Sequence, residues 1–172
     1  MNKKLICENK FEFNIPNKTI CLPVKLENLP SEIIIQNTTL ILQTSFHVSL
    51  ACIGESIRKY NIFIQDFENK ILDDFCEFSK TNEIKVLKYN DFKFIERDDL
   101  KTIVVMCDIS NLNKFFDLMN QKYNLKIEYP PTHITLYILP SKHGIFLTDA
   151  NDIKNLTKPI PNPIGFLLEP SN

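Results

Sequence analysis

Two short stretches of this chain repeat one pattern, and both alternate in the way that a β-strand does. Within Phe46–Leu50 and within Thr132–Leu136 the order is histidine, β-branched aliphatic residue, hydroxyl residue and leucine. The chain has 3 histidines, and two of them stand in this pattern. Because side chains two apart on a strand point to the same face, each histidine shares a face with its hydroxyl residue. Each stretch is predicted to be a strand with an apolar side for the core and a polar side for chemistry.

The polar sides of these strands supply the candidate site residues. On the first strand they are His47 and Ser49, and on the second His133, Thr135 and Tyr137 follow one another at every second position. Two such strands side by side would line one cleft with both imidazoles and both hydroxyls. Tyr137 is a candidate substrate contact, through stacking or a hydrogen bond, and a buried structural tyrosine fits the pattern equally well.

The rest of the chain predicts an α+β fold in a single domain, 1–172. The expected elements are an N-terminal hairpin (9–29), helices (61–80, 110–123 and 149–156), strands (84–89, 92–96, 102–108, 133–139 and 145–147) and a Pro-rich C-terminal tail (157–172). Pro23 predicts that its arm of the hairpin is an edge strand. Because a polar-faced strand recurs on either side of helices and strands, we expect a two-lobed, duplicated sheet-and-helix unit with a central cleft and helices on its outer faces.

Composition excludes several classes of protein. A net charge of −1 without a long basic run argues against binding a long nucleic-acid duplex. The uncharged segment 33–54 is interrupted by polar residues, which argues against a membrane span. The 5 cysteines are scattered and contain no CxxC, which favours reduced thiols and a cytoplasmic location. No acidic cluster has metal-ligand spacing, so neither a metal nor another cofactor is expected. No coiled-coil heptads occur, and a monomer is the expectation.

The paired motifs resemble those of the two-histidine (2H) phosphoesterase superfamily. That superfamily includes the RNA 2′,3′-cyclic phosphodiesterases, the bacterial proteins first described as 2′-5′ RNA ligases, and phage enzymes that destroy cyclic nucleotide signals. The resemblance covers about residues 33–147 and rests on His47, Ser49, His133 and Thr135. The first motif has Ser where Thr is commoner in the superfamily. The hairpin and the tail have no clear counterpart in its minimal core.

The resemblance implies a metal-independent phosphodiesterase acting on a nucleotide or an RNA end. Its substrate would be a 2′,3′-cyclic phosphate, an RNA end, or a small cyclic or 2′-5′-linked oligonucleotide. It suggests His47 as general acid and His133 as general base, with Ser49 and Thr135 binding the phosphate, although the residues alone allow the two histidines to exchange roles. The alternative is a non-catalytic nucleotide- or RNA-binding protein that keeps the cleft without turnover.

Overall fold

Strands and helices follow one another along residues 3–145 and 147–170, the part of the chain that this computed structural model describes. Among these residues an antiparallel sheet of ten strands is accompanied by four helices, which confirms the α+β class. The duplicated, two-lobed arrangement stays a prediction. The strands are β1 (Lys3–Ile6), β2 (Phe11–Asn14), β3 (Thr19–Val24), β4 (Glu32–Ile35), β5 (Thr38–Leu42), β6 (Phe46–Cys52), β7 (Val86–Arg97), β8 (Leu100–Ile109), β9 (His133–Ile138) and β10 (Thr157–Ile160), and the helices are α1 (Ile53–Lys59), α2 (Phe67–Thr81), α3 (Leu112–Tyr123) and α4 (Ala150–Leu156).

Residues 3–23, 49–85 and 109–130 form one compact unit, called unit 1 here. The predicted hairpin is present as β2 and β3, with Phe13 opposite Ile20, and β1 adds a strand that the sequence pattern did not predict. The edge-strand prediction for Pro23 is wrong, because β3 lies between β2 and β6 in the hydrogen-bonded order. Pro23 stands beyond the residues of β3 that pair with β2, so its missing N–H removes no hydrogen bond from that pairing.

Phenylalanine rings form the core of unit 1 between its helices and strands. The fully buried ring of Phe75 on α2 meets Phe11 edge-on at 4.9 Å and Phe115 of α3 at 5.1 Å between ring centroids. Edge-to-face pairs at such distances add to the stabilisation that burial of the rings provides. The helix predicted over 61–80 begins later, at Phe67, and α1 was not predicted.

A disulfide corrects the expectation that the cysteines are reduced. Cys7 and Cys76 are bonded to each other, which ties the turn after β1 to α2 within unit 1. Cys21, Cys52 and Cys107 are free thiols. Scattered spacing could not identify the pair, because a disulfide depends on which residues the fold brings together. The cysteines therefore no longer support the predicted cytoplasmic location.

Residues 24–48, 86–108, 131–145 and 147–170 form the second compact unit, unit 2. Its central strand is β9, which pairs with β8 along one edge and with β5 and the start of β6 along the other. The strands predicted over 84–89 and 92–96 are one continuous strand, β7, and the tail pairs with it through β10. The predicted strand 145–147 lies partly outside the described residues, at Phe146, as does the tail at 171–172.

The core of unit 2 is mainly aliphatic, although Phe94 and Tyr137 are also fully buried there. Ile95, Val104, Ile145 and Leu147 form a buried cluster, against which side chains of α4 pack. The segment after β9 thus returns across the sheet and covers part of one face. Along the described residues, no helix is both long and apolar enough to cross a membrane.

Candidate active site

The pairing of β6 with β9 decides which motif residues share a face. Val48 lies directly opposite Ile134, and both side chains are 0% exposed. Residues opposite each other on antiparallel strands point to the same face, and their sequence neighbours point to the other. His47, His133 and Thr135 therefore lie together on the face opposite that pair. The predicted grouping of these three residues is present within unit 2.

His133 is held in a defined orientation by the residue two positions before it. Its Nδ1 lies 2.8 Å from the carbonyl oxygen of Pro131, and since a carbonyl can only accept, Nδ1–H donates. The neutral ring therefore keeps its lone pair on Nε2. The side chain is 7% exposed, and burial lowers the pKa of His133 despite the opposing effect of the hydrogen bond to Pro131. His133 is consequently a neutral imidazole near pH 7.

His47 has a more open environment than His133. Its side chain is half-buried, with the Nδ1 atom turned away from solvent. An imidazole that retains contact with water loses less of the hydration of its cationic form than a buried one. The two histidines thus lie on one face of neighbouring strands but differ in solvation.

The Thr135 side chain is in contact with the chain that returns after β9. A Cβ placed on Gly144 would lie 3.1 Å from both the Oγ1 and the Cγ2 of Thr135, closer than ordinary van der Waals contact. The absence of a side chain at Gly144 therefore permits this approach. Ile145 and Leu147 then pack on Val104, the residue opposite Thr135 on β8. Gly144, Ile145 and Leu147 accordingly cover this face of the sheet on the side of β8.

A β-bulge separates Tyr137 from the other motif residues. Val104 pairs with Thr135 and Ile103 with Tyr137, so Leu136 is an extra residue on β9. One extra residue reverses the alternation, and Tyr137 points to the face opposite His133 and Thr135. The prediction that Tyr137 shares a face with His133 and Thr135 is therefore wrong. It is 0% exposed, and its hydroxyl donates to the carbonyl oxygen of Pro30 at 3.1 Å. This environment favours the structural alternative over the predicted substrate contact.

Ser49 belongs to unit 1, where it has a different kind of neighbour from that of Thr135. It is half-buried on β6, and its hydroxyl hydrogen-bonds to the Cys21 thiol. Burial raises the pKa of Cys21 to about 11 and that of nearby Cys52 to about 12, outweighing the hydrogen bonds that lower them. Both groups are protonated thiols at neutral pH, and such thiols are poor nucleophiles.

Sequence reasoning missed two groups that shape this site, Gly144 and the carbonyl of Pro131. Gly144 is one of only 3 glycines, and it follows the third histidine directly, which is a signal that could have been weighed. Pro131 immediately precedes the second motif, but a backbone carbonyl carries no side-chain signal. Its role depends on how the chain enters β9.

The likeness to the two-histidine superfamily rests on four residues and stays a prediction. Within residues 3–145 and 147–170, no group of three or more His, Cys, Asp or Glu side chains is arranged to hold a metal ion. Comparisons with protein-family models, with curated proteins and with solved structures found no match for this chain.

Proposed function

We propose that this protein is a metal-independent phosphodiesterase in which His133 is the general base and His47 the general acid. The substrate class is a phosphodiester of a nucleotide: a 2′,3′-cyclic phosphate, an RNA end, or a small cyclic or 2′-5′-linked oligonucleotide. One observation carries the proposal. The Val48–Ile134 register groups both imidazoles and the Thr135 hydroxyl on one sheet face. Two imidazoles of unequal solvation suit a reaction that removes a proton from one oxygen and delivers a proton to another.

The environment of His133 supports its role as base. Its Nδ1–H is engaged by Pro131, and its pKa is lowered by burial, so Nε2 is ready to accept a proton at neutral pH. In hydrolysis, a water oxygen attacks phosphorus while Nε2 of His133 takes one of its protons. The hydrogen bond to the Pro131 carbonyl holds the ring of His133 in place while it becomes cationic.

The leaving sugar oxygen must receive a proton, and His47 is the proposed donor. As the bond from phosphorus to the sugar oxygen breaks, that oxygen takes a proton from the imidazolium of His47. One water is consumed and a phosphomonoester is formed. Solvent then restores the proton to His47 and removes one from His133. No redox partner or cofactor enters this balance.

The two hydroxyls have the role of stabilising charge. Phosphorus becomes five-coordinate during attack, and the non-bridging oxygens gain negative charge that aimed O–H donors stabilise. Thr135 is half-exposed on the same face as His133, and its packing against Gly144 restricts its movement. Ser49 is assigned the matching role from its motif alone.

A substrate panel tests the proposal. Wild type would be assayed in EDTA on nucleoside 2′,3′-cyclic phosphates, RNAs with cyclic-phosphate ends, 2′-5′ oligoadenylates and 3′,5′-linked cyclic dinucleotides. His47→Asn and His133→Asn are the test variants, and Lys158→Gln, an exposed position on β10, is the matched surface control. We expect turnover of one class by wild type and by Lys158→Gln, with loss in both histidine variants.

Two outcomes would contradict the proposal. The first is turnover by His133→Asn at the wild-type rate, in a variant whose thermal unfolding shows a folded protein. This outcome would rule out His133 as the general base. No turnover of any compound by wild type, together with binding of one of them, would favour the non-catalytic nucleotide-binding alternative.

A further inference from the structure

The turn after β9 lies close to the face that carries the motif residues. It begins with a tight turn in which the N–H of Lys142 donates to the carbonyl of Leu139 at 3.1 Å, and Ser141 has a positive φ of 59°. Two residues later Gly144 contacts the Thr135 side chain. The turn is therefore positioned at both ends: by its own hydrogen bond at the start and by packing on the motif at the end.

His143, the third histidine, stands between these two positions. It is exposed and is joined directly to Gly144, so its Cα is about 3.8 Å from the Cα of a residue that contacts Thr135. Its neighbour Lys142 forms an ion pair with Asp99, which lies in the turn between β7 and β8. The Asp99 carboxylate also interacts electrostatically with His143, and its pairing with Lys142 offsets part of the negative charge that His143 meets. His143 is thus an exposed residue that stands one position before the glycine beside Thr135.

We propose that His143 is a specificity-determining residue that binds a second phosphate of the substrate, next to the phosphate being cleaved. The inference rests on the proposed function and narrows the preferred substrate to a compound with at least two phosphates. A dinucleotide or oligonucleotide would be bound more tightly through His143, whereas a mononucleoside cyclic phosphate would be turned over without that contact.

Chemistry and position favour this role over contact with the cleaved phosphate itself. The groups around the cleaved phosphate are already supplied by His47, His133 and Thr135. Because Gly144 and not His143 lies beside Thr135, His143 is assigned a group of the substrate that extends past Thr135. An imidazole offers N–H donors, and in its cationic form a positive charge, both of which bind phosphate oxygens.

Three matched substrates separate the effect of charge from that of size. The first is adenosine 2′,3′-cyclic phosphate, and the second is an adenosine dinucleotide with the same cyclic end. The third is that dinucleotide with an uncharged methylphosphonate linkage in place of its internal phosphate. Wild type, His143→Gln and the surface control Lys158→Gln would be compared on all three.

We expect His143→Gln to raise KM for the charged dinucleotide about tenfold, the effect of losing one partly exposed charge-assisted hydrogen bond, with kcat unchanged. The KM values for the other two substrates should not change, and Lys158→Gln should resemble wild type throughout. Gly144→Ala is the contrasting variant. Because it displaces Thr135, it should lower kcat on all three substrates.

The results distinguish failure of the inference from failure of the proposed function. If the substrates are turned over and His143→Gln changes KM on none of them, or equally on all three, the role of His143 is overturned. The proposed phosphodiesterase activity is not affected by that result. If none of the three is turned over, dissociation constants for the same compounds decide the matter. A preference for the charged dinucleotide that His143→Gln removes would support the second-phosphate site, and no such preference would overturn it.

Discussion

The two motifs have the same residue pattern but different chemical environments. His133 is buried and hydrogen-bonded at Nδ1 to Pro131, whereas His47 is half-buried. Thr135 packs against Gly144, whereas Ser49 hydrogen-bonds to a cysteine thiol. Repetition in sequence therefore does not make the motifs equivalent. Burial and backbone contacts give the two imidazoles different environments, and the proposed roles of base and acid rest on that difference.

The largest expected effect comes from removing either histidine. His47→Asn and His133→Asn should each lower kcat by about 10³-fold, within the range that general acid–base catalysis contributes. A nucleotide p-nitrophenyl ester then sharpens the comparison, because its leaving group needs no proton. On that ester His47→Asn should recover most of the activity and His133→Asn should not. The measurement is the ratio of kcat on the two substrates for each variant. Recovery of His133→Asn instead of His47→Asn would show that His133 is the acid and His47 the base.

The hydroxyls should show a smaller and unequal effect. Thr135→Val should lower kcat by about 10²-fold, as expected for one lost donor to a developing oxyanion. Ser49→Ala should cost about tenfold, because its hydroxyl already interacts with Cys21 and is less committed to substrate. Steady-state kinetics of both variants and of Thr135→Ser, which keeps the donor, would measure this. Equal losses for Thr135→Val and Ser49→Ala would break the predicted asymmetry.

The pH dependence of kcat/KM reports the base directly. The proposed mechanism requires neutral His133, and burial lowers the pKa of His133 from the ordinary value of 6.5. The acidic limb of the pH–rate profile should consequently have its midpoint below 6.5, and activity should fall again at high pH as the acid loses its proton. An acidic midpoint above 6.5 would mean that His133 is not the group that must be neutral.

The smallest expected effect concerns stability. Because the pKa of His133 is lower in the folded than in the unfolded chain, the unfolded chain binds more protons just below pH 6.5. The free energy of unfolding should fall as pH decreases through this range, by at most about 1.4 kcal/mol per pH unit from this group. Urea unfolding of wild type and His133→Asn at several pH values would measure it. The free energy of unfolding of wild type minus that of His133→Asn should decrease as pH falls through this range, and parallel curves would contradict the assignment.

Local patterns predicted the elements that carry the site. Alternation identified the motif strands as β6 and β9, and apolar spacing identified α2 and α3, with errors mainly at their ends. These signals act between residues that are close in sequence, which is why one chain is enough to read them. The grouping of His47, His133 and Thr135 on one face followed from the same alternation together with the pairing of the two strands.

Contacts between distant segments could not be predicted in the same way. The bulge at Leu136 turned Tyr137 to the opposite face, and it arises from the register against β8. The disulfide joins residues separated by 69 positions. Its two cysteines have nothing in their local sequence that distinguishes them from the three free ones.

The sequence by itself thus determined which residues can carry acid–base chemistry and on which side of each strand they lie, because side-chain alternation is a local property of the backbone. Only the tertiary structure decided how those residues differ. The pKa of His133, the packing of Gly144 on Thr135 and the loss of Tyr137 from the site face depend on burial, register and close approach. Those quantities are set by segments far apart in the chain.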